Sequence, residues 1–185
     1  MKHGLLASAA LLSLCCFGLA VGGEKATPFE LDGLSSPVPA TWKVSPAKGL
    51  RLYQIAVPKV AGDSEDAEIV VFYFGPGSGG GVAENIKRWK AMFDAPKGKD
   101  IEDVAKVTKM KAGDVEITYL DVEGTYLSKF PPNAPNAKTE RKENFRMFSV
   151  VFESKNGPYF LRMTGPAKTM AARKDAFDGW LKNFK

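Results

Sequence analysis

The chain has 185 residues, of which 44% are hydrophobic and 25% charged, and its formal net charge is +5. This length suits one domain with a core of its own. Charges of both signs are interspersed, as in residues 137–143, rather than gathered into the basic face that nucleic acid recognition requires. The only histidine, His3, and the only cysteines, Cys15 and Cys16, all precede residue 17. Everything after them lacks an imidazole base, a thiol nucleophile and the usual zinc ligands.

Met1, Lys2 and His3 precede an apolar block that ends in small residues around Gly22 and Gly23. That is the layout of a secretory signal peptide over residues 1–22. It predicts a secreted or periplasmic protein. A lipoprotein anchored through Cys15 or Cys16 is the alternative, although Leu14 is not the small residue expected before a lipidated cysteine. No second apolar block could form a transmembrane segment in the mature chain.

Residues 23–38 carry Pro28 and Pro37 and read as irregular, with Phe29 and Leu31 pinned to the core. Residues 39–185 read as a single domain. Residues 50–57 and 67–74 are strands, the second apolar throughout and therefore buried on both faces. After the glycine-rich stretch 75–81, Val82, Ile86, Trp89 and Phe93 recur at helical spacing. Residues 104–110 and 115–122 form a hairpin around Gly113. The proline- and asparagine-rich residues 128–142 read as an exposed insertion. Residues 145–154 and 159–164 pair across Asn156 and Gly157. Gly165 and Pro166 open a terminal helix with Met170, Lys174, Phe177, Trp180, Leu181 and Phe184 on one face. The sum is α+β, an antiparallel sheet covered by helices.

Pro39 and Trp42 at the start, a strand meander with an inserted helix, and a closing helix with aromatic anchors together resemble the PsbP-like fold. The turn containing Gly62, Asp63, Glu65, Asp66 and Glu68 resembles its bacterial branch. So does the segment with Gly79, Gly80, Glu84, Asn85, Ile86, Arg88 and Trp89. The resemblance implies an α/β/α sandwich and a mostly non-enzymatic domain that docks on a partner. It carries no catalytic residues with it.

Gly75, Gly77 and Gly80 match the spacing of a dinucleotide fingerprint, but no acidic residue ends a following strand, and no P-loop lysine is present. What remains is an anion or small ligand held at the helix start by Gly77, Ser78, Gly79, Gly80, Gly81 and Arg88. Arg88 is also placed to pair with the acidic turn. Asp63, Glu65 and Asp66 offer carboxylates for calcium, without the spacing of an EF-hand. Ser78 lacks the flanking glycines of a nucleophile elbow. No catalytic residues and no cofactor are expected. The expected function is that of a non-enzymatic binding or accessory protein of the cell envelope, with a protein partner and no nucleic acid. The glycine stretch and the proline-rich segment are its contact surfaces. The alternative is a small-anion carrier or sensor.

Overall fold

The structure, a computed structural model, describes residues 28–46, 49–130 and 136–185. The proposed signal segment with Cys15 and Cys16, and the prolines at 131, 132 and 135, lie outside the described residues.

The fold is α+β. Among the described residues ten strands and three helices follow one another as β1 (Pro28–Leu31), β2 (Leu34–Pro37), β3 (Lys43–Pro46), β4 (Arg51–Val57), β5 (Ala67–Tyr73), α1 (Val82–Lys90), β6 (Phe93–Asp94), α2 (Ile101–Val104), β7 (Ala105–Ala112), β8 (Val115–Phe130), β9 (Lys138–Ser154), β10 (Gly157–Pro166) and α3 (Ala167–Lys182). Eight strands form one antiparallel sheet in the order β3-β4-β5-β10-β9-β8-β6, with β7 sharing the β8 edge with β6.

Alternation along the strands divides the core in two. Ile69, Val71, Tyr119, Phe148, Val150, Leu161 and Met163 face α3, whose Met170, Phe177, Trp180 and Leu181 are buried against them. The neighbouring residues Leu120, Met147, Val151 and Phe160 point the other way, toward Trp89 of α1 and Phe93. Period-two burial on both faces explains why the central strands are nearly continuous in apolar residues.

Three features depart from the sequence reading. Residues 28–37 are ordered: β1 and β2 form a hairpin around Asp32 and Gly33, both with positive φ, as a two-residue primed turn demands. The pairing of Ser35 with Lys185, N–H to carbonyl in both directions at 3.0 and 3.2 Å, ties this hairpin to the chain's end. The proline-rich insertion is mostly strand: β8 and β9 extend their ladder out to Phe130 and Lys138. Finally, the hairpin at Asn156 turns one residue early, through Lys155 and Asn156. Gly157 (φ 121°) follows it, and there a Cβ would lie 3.0 Å from the Pro76 backbone.

The hairpin is part of the core. Phe29, 3% exposed, meets Trp180 edge-on with ring centroids 5.2 Å apart and lies 4.4 Å from Tyr53. Phe29→Ala should therefore lower the unfolding free energy by about 3–5 kcal/mol, read by urea denaturation. A loss under about 1 kcal/mol would mean the hairpin is an appendage.

Candidate functional site: a groove beside the first helix

The glycine stretch is stitched to α1 by the helix's own side chains. Asn85, almost fully buried, donates from Nδ2 to the carbonyls of Gly79, Gly80 and Gly81 at 3.1, 3.2 and 2.9 Å. Arg88 donates to Gly79 O at 3.1 Å and to Asn85 Oδ1. It does not reach the acidic turn, because the loop carbonyls lie closer along its own helix. Glu84 accepts from the Gly81 N–H at 2.6 Å. The helix N-terminus thus carries a carboxylate of this chain, in the position that favours negative charge. Gly77 and Ser78 are exposed and form the outer turn. Gly79 is the pivot: with φ at +90°, a Cβ there would lie 2.8 Å from Phe160 Cζ and 3.0 Å from Phe74 Cδ2.

The three acidic side chains considered for calcium are engaged separately. Asp63 accepts from the Thr169 N–H at 2.8 Å and from its hydroxyl, capping α3 from a distant loop. Glu65 pairs with Lys142 at 2.7 Å, and Asp66 accepts from the Lys59 N–H at 3.0 Å. Among the described residues no group of three His, Cys, Asp or Glu side chains is placed to hold a metal.

A concavity lies on the other flank of α1. Trp89 and Phe93 enter the core, whereas Val82 and Ile86 of the same stripe stay half-buried. With Ala83, Phe93, Ile101 and Val107 they line a groove of about 850 Å³ between α1, α2 and β7. Val107 is 45% exposed on its floor. Lys87, Lys90 and Lys109 stand along the rim with Glu102, Glu116 and Glu153. Lys90 pairs with Glu102. Glu116 and Glu153 are direct cross-strand neighbours, a like-charge juxtaposition that is unfavourable when left without a cation. Neither is in an ion pair among the described residues. Among the described residues β7 pairs along this groove only with β8, so its outer edge presents backbone donors and acceptors.

The groove has no counterpart in the sequence analysis, where Asn85 figures only as part of the segment that carries the family resemblance. Asparagine within a helix is a signal for Asn85, since its amide competes for nearby backbone groups. The groove itself depends on how far apart α1 and β7 are set, which no local pattern encodes.

No known family profile matches the chain, and no curated protein matches it. Among solved structures it is similar to LpqN of Mycobacterium tuberculosis, described as involved in cell envelope biogenesis, with a TM-score of 0.46 and 15% identity over 89% of this chain and 86% of that one. It is also similar to PA94, a protein of unknown function from Pseudomonas aeruginosa, with a TM-score of 0.45 and 10% identity over 85% and 94%. Similarity at this level assigns neither a family nor a function. Among the described residues no helix is long and apolar enough to cross a membrane.

Three substitutions test the local account. Gly79→Ala should cost at least about 2 kcal/mol, combining backbone strain with a clash in a packed aromatic corner, whereas Gly77→Ala, which meets open space, should cost about 1 kcal/mol. Equal losses in chemical denaturation would contradict the pivot. Asp63→Ala should cost about 1 kcal/mol through loss of the α3 cap, and calcium should leave the melting temperature of the unmutated protein unchanged.

Proposed function

We propose that the mature protein is a secreted, non-enzymatic accessory protein of the cell envelope that captures an extended segment of a protein partner along β7 and the groove beside α1. The observation that carries this reading is the groove lying along an unpaired strand edge. A partner strand added to β7 satisfies the edge's backbone groups and sends alternate side chains over Val82, Ile86, Ile101 and Val107. Lys106, Lys109 and Lys111 on β7 and Lys87 on α1 favour acidic residues in that strand. Glu116 and Glu153 favour a basic residue at its end.

The envelope location rests on the signal-peptide pattern of residues 1–22, with a lipid anchor at Cys15 or Cys16 as the variant of it. The absence of His and Cys after residue 16 supports binding over catalysis. The helix–sheet–helix layering supports the resemblance to the PsbP-like fold.

A photo-crosslinking residue placed at Val107 should form a discrete adduct in native envelopes, and the same group at Leu50, which is 71% exposed near the opposite edge, should not. In the background of Ile86→Asp the Val107 adduct should fall about tenfold, the loss expected for about 1.4 kcal/mol of binding. Equal adducts at both positions, or an adduct indifferent to Ile86→Asp in a folded variant, would rule out the groove.

A further inference from the structure

Two half-buried arginines on the sheet are treated in opposite ways. Arg146 on β9 faces the α3 side and meets Asp121 in a two-pronged pair, Nε and Nη2 each 2.7 Å from a carboxylate oxygen. This bonding raises its pKa further. Arg162 on β10 faces the α1 side and has no carboxylate within 4.0 Å among the described residues. Among the described residues its one side-chain hydrogen bond goes to Met92 Sδ at 3.1 Å, a weak acceptor for a group with five donors. Burial, reinforced by the charge of Arg51, lowers its pKa, yet a guanidinium stays protonated in a protein.

The surroundings of Arg162 are built rather than accidental. Its guanidinium lies over the Phe72 ring at 5.5 Å, and Phe72 stacks on Phe74, which is 43% exposed. Its cross-strand neighbours are Val70 on β5 and Ser149 on β9. Ser149 is fully buried, and its hydroxyl has no partner among the described residues. Glu68, whose charge acts on Arg162, already accepts from Arg51 at 3.3 Å and from Gln54. These groups lie where the sheet runs on past α1 to β5 and β4, and Arg51, Gln54, Glu68 and Phe72 are all partly open to solvent there.

We propose that Arg162 is the anchor of a second binding site, distinct from the groove, which takes a small organic carboxylate with a flat or aliphatic apolar body. The carboxylate meets the free donors of Arg162, with Arg51 contributing charge at its outer side. The apolar body lies against Phe72, Phe74 and Met92. A guanidinium backed by an aromatic ring favours a planar oxyanion, which it can grip with two parallel bonds. The loop at 75–81 borders the site, because Gly79 packs on Phe74 and Phe160. The anion-binding capacity expected at the glycine stretch is thereby placed one layer below it, on the sheet.

The test is a titration of the mature protein followed by the arginine Nε–Hε signals in NMR. Benzoate and hexanoate should shift the Arg162 signal saturably, with acetate weaker by about tenfold for want of an apolar body, and inorganic phosphate weaker again. Arg162→Lys should weaken benzoate binding about tenfold while keeping the charge, and Val107→Glu in the groove should leave it unchanged. If no carboxylate shifts Arg162 saturably, or if Arg88 and Arg173 move equally with it, the site does not exist. If phosphate alone binds, the carboxylate assignment is wrong. Should Arg162→Lys fail to fold, Arg51→Gln replaces it, with a several-fold loss expected and an unchanged affinity counting against the proposal.

Discussion

The central strands are apolar on both faces, and everything else in the structure answers to that. Val70 and Val71, Val150 and Val151, and Phe160 and Leu161 are buried in adjacent pairs that point in opposite directions, so the sheet needs cover on both sides. On one side α3, with 16 residues, reaches about 24 Å and is extended by the β1–β2 hairpin. On the other side α1 has nine residues and reaches about 14 Å. Seven strand positions at the usual spacing span about 29 Å. The second face is therefore only partly roofed. The groove toward β7 and the half-buried surroundings of Arg162 are the two margins that the short helix leaves.

A short roof must be held firmly to be useful. Trp89 drives α1 into the sheet, where it meets Phe160 edge-on with centroids 6.5 Å apart. At the helix's other end Asn85, Arg88 and Glu84 bind the glycine stretch, and Gly79 sets that stretch directly on Phe160 and Phe74. Helix, loop and sheet thus converge on one aromatic ring. The glycines give this loop its tight path, and side chains from α1 remove the flexibility that such a composition suggests. The walls of both margins are fixed before anything binds, which lowers the ordering cost of recognition.

How much of this was legible follows from the range of the interactions. The α3 stripe, the apolar β5 and the β9–β10 hairpin are local patterns, and they appear in the sequence as they do in the fold. The β1–β2 hairpin was obscured because Pro28 and Pro37 sit at its ends, where an outer strand tolerates them, while Asp32 and Gly33 at its centre were a readable turn signal. Phe93 fits the helical stripe of Val82, Ile86 and Trp89 by spacing, yet it belongs to β6. Gly124, where a Cβ would run into Asp94 O, allows that close pairing. Arg162 alternates with apolar residues as any polar strand residue would. Its isolation is visible only once Asp121 is seen to serve Arg146 and Glu68 to serve Arg51. The sequence suggests a distant acid for Arg88, whereas the nearer carbonyl of Gly79 satisfies it.

The two edges of the sheet differ in how readily a further strand could be added to them. β3 closes one edge with four residues ending in Pro46, short and unable to extend a ladder. β7 closes the other with eight residues, broken by neither proline nor bulge. Its three lysines are the common protection against pairing with a second copy, since two such edges would repel. The same charges do not protect against an acidic strand. On the proposed reading they leave β7 closed to its own kind and open to a strand of opposite sign. The apolar floor of Val107, Ile86 and Ile101 then rewards the strand that comes in the right register, because a shift by one residue would turn its apolar side chains away from the groove.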